Sequence, residues 1–295
     1  MTTTPHPVRS ADRLSASEVE DVLALAGAAE RADGVFPLSE DVLLQVRHGG
    51  GTSLLSYAGE TLAGYAHLGD ETGELVVAPE HRRRGHGTAL LAAAGPGPRS
   101  FWAHGDDPGA RAFAERNGFD RVRVLWQMRR PLTDELPPAV FPEGVSVREF
   151  RPGHDEKEWL GVNSRAFAHH PEQGRWTEHD LALREAEPWF DPAGFLLAVD
   201  IAGTVLGFHW TKVHPATAVE PAIGEVYVLG VDPGGHRRGL GAALTLAGLR
   251  HLQGRGLTAV LLYVDESNTA AVALYRRLGF TVFSTDVSYR THVGS

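Results

Sequence analysis

The pattern of hydrophobic and polar positions changes period several times along this chain, and the same order of periods occurs in both halves. Alternation with period two predicts strands, and apolar spacing near 3.6 predicts helices. Ser15 and Glu18 form a predicted capping box before a helix that runs through Ala32, and Ser39 starts a second helix. The first half then continues with predicted strands at 53–58, 61–68 and 73–78, a helix from about 85, a strand near 100, a helix at 109–117 and a strand at 121–130.

The second half repeats this order of elements. They are a strand at 145–150, helices at 155–167 and 178–186, strands at 195–201, 204–213 and 224–232, a helix at 239–252, a strand at 257–264, a helix at 268–278 and a strand at 280–289. Each half is therefore predicted to be a mixed, mostly antiparallel sheet flanked by helices. This pattern predicts the α/β (α+β) class with two tandem domains.

The clearest repeat is a strand that leads through a basic, glycine-rich turn into a helix. It reads Arg-Arg-Arg-Gly-His-Gly at 82–87 and His-Arg-Arg-Gly-Leu-Gly at 236–241. Laying Gly239 on Gly85, an offset of 239 − 85 = 154, also aligns a proline in each copy. The 295 residues exceed one typical domain of roughly 100 to 200 residues, so a duplicated domain is expected. Prolines between 131 and 142 indicate the linker, which predicts domains at 1–138 and 139–295.

The repeated turn has the chemistry of an anion site. Glycine removes Cβ atoms, so that a phosphate can approach backbone N–H groups at a helix N-terminus, and the adjacent arginines add positive charge. Either copy taken alone is equally consistent with a solvated connection that carries surface arginines, but two copies at matched register favour the anion site. Neither copy ends in the Gly-Lys-Ser/Thr of a P-loop, and neither has the third glycine of a dinucleotide fold.

Composition narrows the classes of function. The formal net charge of −9 argues against nucleic acid as the main partner, because phosphate backbones are held by surplus Lys and Arg. The absence of cysteine excludes disulfides and a cysteine nucleophile. No apolar run approaches the about 18 residues of a membrane span, and no signal peptide is recognised, so the cytoplasm is expected. The 15 histidines include no compact ligand set, so no metal is predicted, and His209 and His214 are expected to be packing or surface residues.

At the repeated turn the chain resembles the GCN5-related N-acetyltransferase (GNAT) superfamily, whose pyrophosphate loop reads Gln/Arg-x-x-Gly-x-Gly/Ala. The turn at 82–87 fits this pattern, whereas the turn at 236–241 departs from it at its first position. The segment 268–280 is also very similar to the last conserved motif of the superfamily. The resemblance implies acetyl-CoA as co-substrate, with contacts from Leu75, Val76, Val77, Arg83, Arg84, Gly85, His86, Gly87, Thr88, Leu229, Gly230, Val231, His236, Arg237, Arg238, Gly239, Leu240, Gly241, Ala242, Asn268, Thr269, Ala270, Ala271, Val272 and Ala273.

The second half is similar in more detail to the mycothiol synthase family, a tandem-domain branch of that superfamily. The similar segments are 169–174, 207–215 and 224–231, and the resemblance extends over nearly the whole chain. It implies direct transfer of acetyl from acetyl-CoA to the cysteinyl amine of cysteinyl-glucosaminyl-inositol. It also implies Glu225 as general base and Tyr275 as general acid, and as acceptor contacts Glu40, Glu172, Lys212, Glu225 and Tyr263.

The two proposed catalytic residues also have plainer interpretations. Period-two alternation puts Glu225 on one strand face with Tyr227, Leu229 and Val231, and a lone strand carboxylate is commonly a solvated edge residue. Tyr275 has the alternative role of a half-buried aromatic on an amphipathic helix. The family resemblance favours the catalytic roles over both alternatives.

The acceptor contacts have alternatives as well. Glu40 stands at a helix start, where a carboxylate favours the helix dipole, and Glu172 follows a proline as an ordinary loop residue would. Lys212 lies in an apolar strand, a costly place for an ammonium unless it faces a polar cavity or a partner. The sequence therefore leaves these assignments dependent on the resemblance.

The two copies differ at the tyrosine position. Laying Gly279 on Gly118, an offset of 279 − 118 = 161, places Tyr275 on Ala114. The N-terminal copy is therefore expected to keep a CoA pocket without catalysing transfer. Two rival functions stay open, namely a tandem acetyltransferase for another amine, such as an aminoglycoside or a peptide N-terminus, and a non-catalytic acyl-CoA sensor. The chain is expected to act as a monomer on a small molecule, with no nucleic-acid or membrane partner.

Overall fold

The computed structural model describes residues 6–95, 100–169, 173–217, 220–235 and 239–291. The described residues form two compact units. The first unit draws on Met1–Trp126, Asp265–Ser267 and Ser284–Ser295, and the second on Gln127–Val264 and Asn268–Phe283. These units are defined by contacts between residues, whereas the domains predicted at 1–138 and 139–295 are defined by their order along the chain. The predicted boundary therefore stays a prediction.

The first unit is built from strands and helices in the predicted order. Its elements are β1 (Val8–Ala11), α1 (Ala16–Asp33), α2 (Glu40–His48), β2 (Thr52–Ala58), β3 (Thr61–Leu68), β4 (Thr72–Val77), α3 (His86–Ala93), β5 (Ser100–Ala103), α4 (Pro108–Arg116) and the start of β6 (Phe119–Pro131). The last part of β12 (Thr281–Thr291) also belongs to this unit, where it pairs antiparallel with β5.

Strands β1 to β4 are antiparallel neighbours in the first unit, and β4 runs parallel to β5. The parallel step is possible because α3 crosses over between the two strands. Helix α1 begins at the predicted capping box, with Ser15 accepting from the Glu18 backbone and the Glu18 side chain accepting in return. Its buried face packs on the sheet in a core that includes Val22, Ala26, Leu55 and Tyr65.

The second unit repeats this arrangement. Its elements are the end of β6, β7 (Val145–Glu149), α5 (Glu156–Ala166), α6 (Glu178–Glu185), β8 (Phe195–Asp200), β9 (Val205–His214), β10 (Ile223–Val231), α7 (Leu240–Gly254), β11 (Ala259–Asp265, to Val264 in this unit), α8 (Thr269–Arg277) and the start of β12. Strands β7 to β10 are antiparallel neighbours, and β10 runs parallel to β11 across α7. The predicted α/β class and the predicted duplication are confirmed.

One element was not predicted. Strand β1 has only four residues, of which Arg9 and Ser10 are exposed, so it carries no apolar alternation that a sequence pattern could detect. It is held as a strand by antiparallel pairing with β2, where Val8 lies opposite Ser56. The partner strand, rather than local propensity, therefore creates this element.

Candidate active site

A gap in the sheet of the second unit opens beside β10. The parallel pairing of β10 with β11 extends over three residues, from Gly224 opposite Val260 to Val226 opposite Leu262. Strand β10 continues to Val231 beyond this point. The residues predicted to contact the cofactor, Leu229 to Val231, lie in that continuing part. Backbone N–H and C=O groups at such an edge can pair with an extended ligand that carries amide groups, as an added strand would.

Strand β10 also contains a bulge on its other side. Val226 pairs with Thr211 of β9, but the next pair joins Val228 to Trp210. Tyr227 is therefore an extra residue with no partner position of its own, which interrupts the ladder at the point where the β11 pairing ends. Bulges of this kind bend a strand and redirect side chains, and they occur preferentially next to active sites.

The bulge corrects the predicted alternation along β10. Leu229 and Val231 pack on one face against α7 residues Leu240 and Leu244. Tyr227 packs on the opposite face, in the cluster that contains Trp210 of β9. The prediction that Glu225, Tyr227, Leu229 and Val231 share one face is thus wrong, because the extra residue inverts the alternation after position 227.

Glu225 is the buried carboxylate next to this bulge. It is 6% exposed and lies directly opposite Lys212 of β9, so the two side chains share a face. Its Oε2 accepts a hydrogen bond from Nε2 of His214, at 2.6 Å. No hydrogen bond to its other oxygen, Oε1, is found within the described ranges. The alternative of a solvated edge carboxylate is therefore wrong.

Lys212 is enclosed by aromatic rings rather than by solvent. It is 8% exposed, and its Nζ lies 4.4 Å from the centroid of Trp189 and 5.2 Å from that of Tyr227. Both distances are within the range of a cation–π interaction. The Tyr227 hydroxyl accepts a hydrogen bond from Nε of Arg184, at 2.9 Å. The guanidinium group of Arg184 stacks on Trp176. This face therefore combines two cations, one carboxylate and an aromatic wall.

The turn that follows β10 ends at Gly239, which begins helix α7. Gly239 has φ +90°, a left-handed conformation that glycine adopts without strain, and among the described residues no side chain caps the helix. The first backbone N–H groups of α7, at Leu240, Gly241 and Ala242, are therefore not covered by a capping side chain. The predicted contacts His236, Arg237 and Arg238 lie outside the described residues.

Helix α8 carries the other predicted residues of this half. Asn268 is its N-cap, and the side-chain oxygen accepts from the Ala271 backbone at 3.2 Å. Thr269 to Ala273 form the first turns of the helix. Tyr275 lies further along, 7% exposed, with its ring against Phe280. Burial raises the pKa of Tyr275 to about 12, and no hydrogen bond to its hydroxyl is found within the described part of the chain.

Two family models match this chain. The model described as "Acetyltransferase (GNAT) family" matches residues 162–280, and the one described as "Acetyltransferase (GNAT) domain" matches residues 47–121. Mycothiol acetyltransferase from Thermobispora bispora is 56% identical over 96% of this chain and 99% of its own length. The protein of the same name from Thermomonospora curvata is 56% identical over 95% of this chain and 96% of its own length.

The chain belongs to the mycothiol acetyltransferase family. It is therefore an acetyltransferase enzyme. Among solved structures, a tandem GNAT protein from the clavulanic acid biosynthesis pathway has a TM-score of 0.74 at 20% identity and covers 98% of this chain and 99% of its own. That likeness concerns the fold, and it agrees with the two GNAT units described above.

The turn of the first unit differs from its copy in what surrounds it. Gly85, with φ +99°, begins α3, and again no side chain from the described ranges caps the helix. His86 is buried and bonds to Ser56, while His6 stacks on the His86 ring at 3.9 Å between centroids and bonds to the Arg84 carbonyl at 2.7 Å. His6 thus lies against the turn in this member of the mycothiol acetyltransferase family.

The other predicted contacts in the first unit have separate local roles. Arg83 has φ +61°, an uncommon conformation for a residue with a Cβ, which costs on the order of 1 kcal/mol. Leu75 to Val77 end β4 beyond its parallel pairing with β5, which stops at Glu74. Gly87 and Thr88 lie in the first turn of α3.

The structure describes two of the other three predicted acceptor contacts. Tyr263 on β11 is 45% exposed, and its hydroxyl accepts from the Gln127 side chain at 2.8 Å. Glu40 is the first residue of α2 in the first unit, where the helix dipole favours a carboxylate. Glu172 lies outside the described residues. The structure therefore places Glu225 and Lys212 opposite each other on neighbouring strands. Tyr263 lies on β11, and Glu40 lies on α2.

Sequence reasoning missed one contact of His214. His209 is a packing residue as expected, fully buried with Nδ1 bonded to the Leu244 carbonyl at 2.8 Å. His214 lies partly at the surface, as expected, with its side chain 37% exposed, and it also bonds to Glu225. The available signal was the spacing, because His214 follows Lys212 by two residues and so shares its strand face.

No group of three or more His, Asp or Glu side chains that could hold a metal ion occurs among the residues that the structure describes. Within the same ranges, every helix is too short or too polar to cross a bilayer.

Proposed function

We propose that this enzyme transfers acetyl from acetyl-CoA to the cysteinyl amine of cysteinyl-glucosaminyl-inositol, which yields mycothiol. The names of its relatives support the acceptor, and the GNAT family supports acetyl-CoA as the co-substrate. The observation that carries the proposal is the buried Glu225, bonded to His214 and opposite Lys212, where β10 separates from β11. We also propose the cytoplasm and a monomer for this small-molecule reaction.

In the proposed mechanism Glu225 removes a proton from the acceptor ammonium, directly or through one water. An α-amine has an unperturbed pKa of about 8, so about a tenth of it is already neutral at pH 7. The amine nitrogen attacks the thioester carbon, the N–C bond forms, and the C–S bond then breaks. The second proton leaves the nitrogen as the CoA thiolate takes one up. The sum is release of one proton to solvent for each ammonium acetylated.

Tyr275 is proposed as the acid, whose hydroxyl group donates to the departing sulfur. Because burial holds its pKa at about 12, the hydroxyl is protonated at every pH at which the amine reacts. The uncapped N-terminus of α7 is proposed to hold the pyrophosphate, and Leu229 to Val231 to pair with the pantetheine amides. Donors in the interrupted ladder at Tyr227 would stabilise the oxyanion.

The first unit is proposed to bind CoA without catalysing transfer. Ala114 stands where the second unit has Tyr275. The β3–β4 ladder runs without a bulge from Gly64 opposite Val77 to Leu68 opposite Gly73. By strand register, with the bulge residue Tyr227 left out of the count, Glu225 corresponds to Thr72, whose carbonyl accepts from Gly69 in a tight turn. Among the described residues of this unit, therefore, the β3–β4 ladder has no bulge, and neither the register position of Glu225 nor that of Tyr275 carries the catalytic residue type.

The test is to incubate the purified enzyme with acetyl-CoA and cysteinyl-glucosaminyl-inositol and to follow CoA release and product mass. Wild type should acetylate the cysteinyl amine, and Glu225→Gln should lower kcat about 10²- to 10⁴-fold, because the amide keeps the shape but takes up no proton. Glu178→Gln, at an exposed position of α6, is the matched control. Transfer only to other amines would contradict the acceptor, and CoA binding without any transfer would favour a sensor.

A further inference from the structure

His214 lies at the end of β9, where its strand reaches the loop before β10. It shares the strand face of Lys212, and Lys212 lies directly opposite Glu225, so His214 is the diagonal neighbour of the carboxylate. We propose that His214 is the positioning residue of this site, which holds one oxygen of Glu225 so that the other faces the acceptor amine. This inference rests on the proposed function, in which Glu225 is the base.

The hydrogen bond has a defined polarity. An ionised carboxylate only accepts hydrogen bonds, so Nε2 of His214 carries the proton and donates it to Oε2 at 2.6 Å. Because both the neutral Nε2–H tautomer and the imidazolium donate from this nitrogen, the contact persists whatever the charge of the ring. Within the described ranges Oε1 has no hydrogen bond, so it is the oxygen left for the amine or for a bridging water.

The other groups around Glu225 do not offer the same restraint. Lys212 faces it from β9 but interacts with the rings of Trp189 and Tyr227. On the β11 side the register partner is the apolar Leu261. The guanidinium of Arg184 on α6 donates from Nε to the Tyr227 hydroxyl. Among the described residues, His214 alone donates a hydrogen bond to Glu225.

His214 differs from Glu225 in its contact with water. The His214 side chain is 37% exposed and the Glu225 side chain 8% exposed. Replacing a half-exposed ring at a strand end leaves no buried cavity, and backbone pairing with Ile223 holds the position. Variants at His214 should therefore fold, and they separate a functional restraint from a structural one.

Two variants distinguish a donor from a ring of the same size. His214→Phe keeps an aromatic ring but has no donor, whereas His214→Gln offers a neutral N–H near the position of Nε2. His179→Phe, at an exposed position of α6, is the control for an added surface phenylalanine. The measurements are kcat and KM for the acceptor, KM for acetyl-CoA, and the thermal midpoint.

We expect His214→Phe to lower kcat/KM for the acceptor about ten- to hundred-fold, the range for loss of a hydrogen bond to a charged group. KM for acetyl-CoA should not change. His214→Gln should recover most of the loss, because it restores a donor near the position of Nε2.

The inference is overturned if His214→Phe stays within twofold of wild type, or if His214→Gln is as impaired as His214→Phe. A wild-type enzyme that does not acetylate the amine would contradict the proposed function instead. In that event the ¹³C chemical shift of the Glu225 carboxyl at pH 7, assigned with Glu225→Gln, still decides the point. It should change in His214→Phe and stay near the wild-type value in His214→Gln, and equal chemical shifts in all three would refute the restraint.

Discussion

At the scale of single residues, Tyr275 illustrates how burial limits what an acid can do. Its pKa of about 12 lies roughly 3.5 units above that of an ordinary thiol, about 8.5. Full proton transfer to a free thiolate would therefore be uphill by about 5 kcal/mol. Tyr275 is better suited to donate a hydrogen bond to the sulfur while the second amine proton completes the thiol.

A Tyr275→Phe variant should show this role. We expect kcat to fall about 10²-fold, since the leaving sulfur loses its donor. In wild type, this phenol should add no alkaline limb to kcat/KM below about pH 11, because the free enzyme keeps it protonated until near pH 12. Steady-state rates from pH 6 to 11 measure both effects. Tyr57→Phe in the first unit is the control, and full activity of Tyr275→Phe would contradict the assignment.

At the scale of elements, the periodic segments were predictable because periodicity is a local property. The strands and helices of both halves lie close to the predicted positions. The bulge at Tyr227 was not predictable, since it exists only relative to the partner strand β9. The same limit applies to Glu225 and His214, which are adjacent only once the register of β9 and β10 is known. Their residue types were visible in the sequence, but their contact was not.

Helix α7 approaches β9 more closely than a side chain at Gly248 would permit. A Cβ added at Gly248 would lie 2.1 Å from Cε1 of the fully buried His209 ring. That ring is fixed, because Nδ1 bonds to the Leu244 carbonyl one helical turn earlier. The contact explains why a glycine stands in the middle of a helix, where it would otherwise cost about 1 kcal/mol relative to alanine.

Gly248→Ala should therefore destabilise the second unit by about 1–3 kcal/mol despite the better helix propensity of alanine. Gly254→Ala, at the end of the same helix, is the matched control, because nothing lies within 4 Å of its added Cβ. Urea unfolding of each variant gives the free energies. The double variant with His209→Ala should couple strongly, since it removes the ring that the new methyl group meets. Equal stability of the two alanine variants would contradict the account.

At the scale of the whole molecule, each unit contains an enclosed histidine whose charge differs from that of the other: His209 is neutral at pH 7 and His104 is positively charged. In the second unit His209 is surrounded by apolar groups, and burial lowers its pKa to about 4. In the first unit His104 lies between Asp286, at 3.0 Å, and Glu74, at 3.6 Å. Burial alone would lower the pKa of His104, but hydrogen bonds to these carboxylates raise it to about 10. The two units thus share a fold but differ in the charge of the histidine that each encloses.

These two histidines should make the units respond oppositely to pH. His209 binds a proton more readily when unfolded, where its pKa is about 6.5, so the stability of the second unit should fall as pH drops from 6.5 to 4, by up to about 3 kcal/mol. His104 binds its proton more tightly when folded, so its contribution is complete below pH 6.5 and is lost as pH rises towards 10. Amide hydrogen exchange, corrected for intrinsic rates, follows each unit separately. Protection should fall first in α7 and β9 on acidification and first in β4 and β5 at alkaline pH, and parallel loss in both units at both extremes would refute the assignment.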